Sequence, residues 1–208
     1  RPPADIGGGY TLPVYMTGPA NHSWWGVIVL LVVCGMIFTC LVFSYLFLWL
    51  VNPHYWPPDG TRLTDPVSPF ISAILYIVGA GLVMWVSRLL RGEDRRSPRF
   101  VPILIAVALA LTLGALAVDL SAHWSTGLSP KAHAYGAAVY GLISLQGLLV
   151  GVTFIMGLYT IARWLAGKLD SVRRSTFDNV MLFWAYTAGQ GLVQILVVYG
   201  FPRLIGGN

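Results

Sequence analysis

The stretch WWGVIVLLVVCGMIFTCLVFSYLFLW, residues 24–49, carries no charged residue and decides the class of protein. A helix needs about 20 mostly apolar residues to cross the ~30 Å hydrocarbon core of a bilayer, and this run exceeds that length. It is too long for the apolar core of a signal peptide, and no basic segment stands directly before it. We therefore interpret it as the first transmembrane helix.

Four more apolar stretches follow the first, which extends over 24–51. They occupy residues 68–90, 101–119, 134–164 and 178–202. Charged residues make up 10% of the chain, against about 25% in soluble domains. The stretches are also too long and too uniform for the strands of a membrane barrel. The sequence predicts an all-α fold, a polytopic bundle of five transmembrane helices.

Residues 1–22 differ from the rest because they are rich in Pro and Gly. This composition predicts an extended lead-in outside the membrane, followed by the bundle over residues 23–208. The chain begins with Arg1 rather than Met, and we expect it to be processed, truncated or the continuation of a longer polypeptide.

Lys and Arg residues distinguish the two sides of the predicted bundle. Ten belong to one side, namely Arg1, Arg88, Arg91, Arg95, Arg96, Arg99, Arg163, Lys168, Arg173 and Arg174. Three belong to the other side, namely Arg62, Lys131 and Arg203. Because basic loops stay in the cytoplasm, the N-terminus is predicted to be cytoplasmic and the C-terminus periplasmic. The excess of Arg over Lys and the abundant Gly and Ala favour a bacterial inner membrane.

The net charge of +5 does not by itself indicate a nucleic-acid partner. Nucleic-acid-binding proteins gather their basic residues on one face or along one stripe. Here the basic residues fall in particular loops, where membrane orientation explains them. We expect no nucleic-acid partner.

Both cysteines, Cys34 and Cys40, fall inside the first predicted span. On a helix they are separated by about 9 Å of rise and about 120° of rotation, whereas disulfide-bonded residues have Cα atoms within about 7 Å. They therefore cannot pair with each other. No further soft ligand lies nearby for zinc or an iron–sulfur cluster, and we interpret both as small apolar packing residues.

Ionisable side chains are placed away from the predicted membrane centre. The histidines His22, His54, His123 and His133 fall in the lead-in, in loops or at helix ends, and Asp119 and Asp178 fall at the ends of spans. Haem or copper would need ligands that face the bundle interior, and a proton or ion path needs ionisable residues at depth. We predict no catalytic residue, cofactor site or metal site in this chain.

Weakly polar residues remain within the spans. Gln146 and Gln190 are placed to hydrogen-bond across two helices, with ligand binding as the less favoured alternative. Arg88 and Arg91 either contact lipid headgroups beside the second span or only set its orientation.

Glycines in three spans predict close helix packing. Gly147 and Gly151 form a GxxxG pair in the fourth span. Similar close approach is predicted at Gly79, Gly81, Gly189 and Gly191.

Several stretches, in their order along the chain, resemble subunit III of the haem–copper (cytochrome c) oxidases. The first span followed by WPPDG at 56–60 is similar to the family's helix that begins W-G-M and ends before W-P-P-x-G. Residues 132–159, AHAYGAAVYGLISLQGLLVGVTFIMGLY, resemble the segment with H-G-x-H at its centre. Residues 177–206, FDNVMLFWAYTAGQGLVQILVVYGFPRLIG, resemble the last helix. The chain is most similar to the five-helix form, in the subunit III portion of a fused subunit I–III polypeptide.

The resemblance also marks positions where polar residues of the family are replaced. The family's acidic residue in the first of these helices corresponds to Cys34, and a buried thiol, which stays protonated, cannot replace a carboxylate in proton handling. Of the family's carboxylates, Asp119 is retained. The other replaced positions are Gln146 and Leu149 for the H-G-x-H histidines, and Ala185 and Ala188 for a histidine and an acidic residue of the last helix.

The resemblance implies an accessory subunit of a respiratory terminal oxidase, a complex that reduces oxygen and pumps protons. This chain would stabilise the catalytic subunit and support proton uptake without a redox centre of its own. Its partners would be oxidase subunits I and II and membrane lipids, with haem and copper in the catalytic subunit and cytochrome c or quinol as the electron donor. The alternative is a membrane anchor or a small carrier outside the oxidase family.

Overall fold

Long helices dominate the part of the chain that the structure describes. The structure is a computed structural model and describes residues 4–5, 8, 11–12, 21–53, 56–58, 62, 64–91, 99–169 and 174–206. The helices are α1 (His22–Val51), α2 (Val67–Leu90), α3 (Val101–Ser125), α4 (Ala134–Leu165) and α5 (Ser175–Ile195). A π-helical segment, Leu196–Gly200, then joins α5 to the short α6 (Phe201–Gly206).

The prediction of five helices long and apolar enough to span a membrane is confirmed. The bounds of the third span are corrected, because α3 does not end at 119 but continues to Ser125. Asp119 and His123 therefore lie within this helix, more than one turn and about half a turn from its end. This shift matters because both side chains are buried.

The predicted lead-in is described only in part. Two short strands, β1 (Ala4–Asp5) and β2 (Thr11–Leu12), pair antiparallel with Ala4 opposite Leu12. Apart from these strands, Gly8 and residues 21–22, the lead-in lies outside the described residues.

Local sequence fixes where the helices begin and end. The Asn21 side chain caps α1 by accepting from the Ser23 backbone N–H at 2.9 Å, which satisfies a donor that the helix leaves free. Gly127 and Gly167 follow α3 and α4 with φ of +73° and +64°. Glycine adopts this left-handed conformation without strain, so it is the usual residue just past a helix end.

The helices pack as a core of four with α1 at its side. α2 contacts α3 and α5, and α4 contacts α3 and α5, whereas α1 contacts α4 and α5. The buried side chains of α1 are Leu31, Phe38 and Tyr45, spaced seven residues apart. This spacing puts one narrow stripe against the bundle and leaves the rest of α1 on the outer surface, with the Cys34 and Cys40 thiols both free.

The two ends of the bundle differ in character. At the end that we call the aromatic end, Tyr45, Trp56, Tyr135 and Phe201 join α1, a loop, α4 and α6, with ring centroids 4.9 Å apart for Tyr45–Trp56 and 5.0 Å apart for Trp56–Tyr135. At the other end, the Asn179 side chain donates to Ser23 Oγ at 3.0 Å and links the starts of α5 and α1.

The end where Ser23 meets Asn179, which we call the basic end, carries most of the described Lys and Arg residues. α2 and α4 end here, with Arg88 and Arg163 in their last turns, and α5 starts here after Arg174. Arg203 belongs to the aromatic end, where its guanidinium donates to the Thr64 and Tyr199 carbonyl oxygens.

Glycine packing differs from the GxxxG prediction. A Cβ on Gly151 would have no atom within 4 Å, and one on Gly147 would meet a single Leu116 methyl at 3.8 Å. Close approaches occur at Gly79 and Gly191, as predicted, but not at Gly81 and Gly189, and they also occur at Gly136 and Gly157. On α4, the glycine closely approached by a neighbouring helix is therefore Gly157, which meets Leu109 of α3, and not the predicted GxxxG pair.

We expect Gly191→Ala to lower the free energy of unfolding by about 1–3 kcal/mol, as overpacking does. A Cβ there would lie 2.8 Å from Gln146 Nε2 and 2.9 Å from Tyr76 Cε2. Gly189→Ala is the matched control, since nothing lies within 4 Å of its Cβ position. Thermal unfolding of both variants in the same mild detergent provides the measurement, and equal midpoints would contradict this packing.

Candidate functional site

Polar side chains lie buried along the interior of the four-helix core. Those that contribute hydrogen bonds between helices come from α2, α3, α4, α5 and the π-helical segment. They are Ser72, Thr112, Asp119, His123, Gln146, Thr153, Thr187, Gln190, Gln194 and Tyr199. Lipid tails cannot hydrogen-bond, so every such group needs a partner within the protein or an internal water.

Two glutamines join α4 to α5 near the middle of the bundle. Gln146 donates from Nε2 to the Thr187 carbonyl oxygen at 2.9 Å, and Gln190 donates from Nε2 to Gln146 Oε1 at 3.4 Å. Tyr186 then donates to Gln190 Oε1 at 2.7 Å. The structure therefore places the two predicted glutamines in one interhelical hydrogen-bonded chain.

Hydroxyl groups continue this chain toward the basic end. Thr187 Oγ1 donates to the Phe183 carbonyl oxygen at 3.0 Å, so its contact of 3.1 Å with Thr153 Oγ1 is one that it accepts. Trp184 on α5 donates from Nε1 to Thr112 Oγ1 on α3 at 3.0 Å. These contacts connect α5 to α4 and to α3.

Asp119 is the centre of a second buried cluster, nearer the aromatic end. Its Oδ1 accepts from Tyr199 Oη at 2.8 Å, and its Oδ2 accepts from Gln194 Nε2 at 2.9 Å. His123 Nδ1 lies 2.9 Å from the Asp119 carbonyl oxygen, 3.2 Å from Tyr199 Oη and 3.5 Å from Asp119 Oδ1. Asp119 and His123 retain 1% and 3% of their surface.

The neighbours of His123 fix the position of one proton. A carbonyl oxygen can only accept, so Nδ1 carries hydrogen and donates to it. The Tyr199 hydroxyl hydrogen is directed at Asp119, and Tyr199 Oη is therefore also an acceptor toward His123. We infer that neutral His123 is the Nδ1–H form.

The π-helical segment explains how one helix supplies two groups to Asp119. Gln194 and Tyr199 are five residues apart and would point about 140° away from each other on a regular α-helix. The wider Leu196–Gly200 segment brings both side chains to the same carboxyl group. Isolated π-helical turns of this kind are frequent at functional sites.

The sequence patterns do not identify His123, Gln194 and Tyr199 as site residues. Their signal is weak, because a histidine near a helix end and a tyrosine near the membrane surface are ordinary features. The spacing of four residues between Asp119 and His123 places them on one helix face, and this was the one available indication.

The remaining predicted residues lie apart from this cluster. Cys34 is half-buried and Cys40 is exposed on α1. Arg88 and Arg91 are exposed at the basic end, where the Arg174 Nε lies 3.5 Å from Asp178 Oδ2. Within the described ranges, no three His, Cys, Asp or Glu side chains lie together in a way that could hold a metal ion.

Comparison with known proteins finds no protein-family model and no curated protein that matches this chain.

We expect Gln146→Leu to destabilise the bundle by about 1 kcal/mol, the size of an interhelical hydrogen bond in a membrane. The leucine would leave Gln190 Nε2 without its acceptor. Ser144→Leu on the exposed side of the same helix is the control and is expected to have little effect. Thermal unfolding in detergent measures both, and an unchanged midpoint for Gln146→Leu would contradict a structural role for the glutamine pair.

Proposed function

We propose that the chain is a subunit III-like accessory subunit of a respiratory terminal oxidase. It packs against the catalytic subunit I, next to subunit II, and carries no redox centre. Haem and copper belong to the partner catalytic subunit, which receives electrons from cytochrome c or quinol. The chain stabilises that subunit and supports proton uptake during oxygen reduction.

The observation that carries this proposal is the spatial relation of the resembling stretches. Residues 24–49, 132–159 and 177–206 coincide with α1, with α4, and with α5 and α6. α1, α4 and α5 contact one another in all three pairs. Stretches that were identified separately along the sequence therefore form one packed unit.

The replaced polar positions support the same alignment. Cys34 and Leu149, which stand where the resemblance places an acidic residue and a histidine, belong to one apolar cluster with Leu31 and Phe183. Gln146 lies one turn before Leu149 on α4 and is fully buried. Cys34 and Leu149 therefore fall together in space, as expected if a polar site of the family has become a packed interface.

The proposal includes an orientation and a location. The N-terminus lies in the cytoplasm and the C-terminus in the periplasm of a bacterial inner membrane, because the basic end collects Lys and Arg. Arg88 and Arg91, both exposed at that end, contact anionic lipid headgroups.

The direct test is purification from native membranes in mild detergent through a tag at the C-terminus. We expect the haem bands of a terminal oxidase in the reduced-minus-oxidised spectrum, together with a large multi-span partner or a longer fused chain on the gel. Untagged membranes treated in the same way provide the control. A colourless preparation that contains this chain alone would contradict the proposal and favour a carrier, whereas a soluble dehydrogenase in the eluate would indicate an anchor.

A further inference from the structure

The Asp119 cluster contains more acid–base chemistry than interhelical packing needs. Asp119 and His123 are both ionisable and lie 3.5 Å apart between Oδ1 and Nδ1. Tyr199 contacts both, and Gln194 contacts the second carboxyl oxygen. The hydrogen bonds of Gln146, Thr187 and Trp184 link helices equally well with neutral groups alone.

The carboxylate receives hydrogen bonds only from neutral donors, Tyr199 and Gln194. A buried carboxylate without a compensating charge is strongly disfavoured. One bound proton removes this imbalance in either of two ways. At His123 Nε2 it produces an imidazolium beside the carboxylate, and at Asp119 Oδ2 it produces a neutral acid beside a neutral imidazole.

Gln194 can serve both arrangements. Its Nε2 donates to the carboxylate, while its Oε1, almost completely buried, has no hydrogen-bond partner within the described part of the chain. Because the two ends of an amide have nearly the same shape, a half-turn would direct Oε1 toward a protonated Oδ2. The unpartnered oxygen means that this rotation breaks no other hydrogen bond.

Three further titratable or charged groups interact with Asp119 or Tyr199 from neighbouring elements. They are Tyr76 on α2, Tyr135 on α4 and Arg203 on α6. The guanidinium of Arg203 donates to the Tyr199 and Thr64 carbonyl oxygens. His123 lies two residues before the end of α3, at the aromatic end, and retains 3% of its surface.

We propose that Asp119, His123, Tyr199 and Gln194 form a proton-binding site near the aromatic end of the bundle, which takes up and releases one proton. The ligand is a single proton, delivered by water, and no covalent bond to carbon or redox change is involved. Gln194 precedes the π-helical segment and Tyr199 lies within it, so the change in protonation acts directly on that segment. This inference concerns the isolated chain and does not rest on the proposed oxidase function.

The test combines two spectroscopic measurements on the chain in lipid bilayers. Nitrogen-15 labelling of the four histidines, with His123→Gln for assignment, reports the tautomer and charge of His123 by solid-state NMR. Infrared difference spectra between acidic and alkaline pH report protonated carboxyl groups. We expect the Nδ1–H form at alkaline pH and uptake of one proton on acidification, seen at His123 or as a carboxyl band absent from Asp119→Asn.

Asp119→Asn removes the carboxyl group whose Oδ1 lies 3.5 Å from His123 Nδ1 and is expected to change the pH response of the His123 nitrogen signals. Asp178→Asn, at the basic end, is the matched control and leaves the His123 signal unchanged. Should Asp119→Asn fail to fold, Tyr199→Phe keeps the ring in place and is expected to shift the same signals. Constant protonation of both groups wherever the chain stays folded, or a His123 signal unaffected by these variants, would overturn the proposal.

Discussion

The structure depends on one constraint, which is that lipid tails offer no hydrogen-bond partner, so a buried polar group bonds within the protein or to an internal water. The sequence places amides, hydroxyls and the Asp119 carboxyl group on the inner faces of α2 to α5. The hydrogen bonds that these groups form have defined donors, acceptors and lengths, such as the 2.9 Å bond from Gln146 to the Thr187 carbonyl oxygen. Apolar surface alone would not specify this arrangement, because lipid tails are as apolar as the leucines of the core.

The same constraint accounts for the irregular end of the last helix. Asp119 needs donors on both oxygens, and a regular helix presents only one of Gln194 and Tyr199 to it. The π-helical turn satisfies the carboxyl group at the expense of regular backbone hydrogen bonds over five residues. Local geometry in this chain is therefore set by an interior polar group, and the arrangement joins α3 to α5 near the aromatic end.

Much of the fold was predictable from the sequence because hydropathy reports the bilayer directly. The run 24–49 could only be a span, and the five helices lie where the apolar stretches predict them. The third span is the exception, because the predicted stretch 101–119 ends at Asp119 whereas α3 continues to Ser125. In the sequence, a single charged residue looks like the end of a membrane span. Only the contacts of Asp119 with Gln194 and Tyr199, 75 and 80 residues further along, show that Asp119 lies inside the bundle.

Close packing at single residues was harder to predict. Gly147 and Gly151 fit the GxxxG pattern but are not closely approached, and of the other predicted glycines Gly79 and Gly191 are closely approached whereas Gly81 and Gly189 are not. The GxxxG pattern shows only that two small residues share one face of a helix. How closely a neighbouring helix approaches them depends on the side chains of that neighbouring helix. At Gly191 these are the Tyr76 ring and the Gln146 amide, which no local pattern on α5 contains.

α1 follows a different rule from the other helices. Two of its hydroxyl groups bond to its own backbone, Thr39 Oγ1 to the Gly35 carbonyl oxygen and Ser44 Oγ to that of Cys40, each at 2.8 Å. These two groups therefore need no partner on another helix, and α1 is held by a narrow apolar stripe, the aromatic end and the bond between Ser23 and Asn179. The four-helix core carries the specific hydrogen bonds, so α1 is the element whose position depends least on them and most on the apolar surfaces around it.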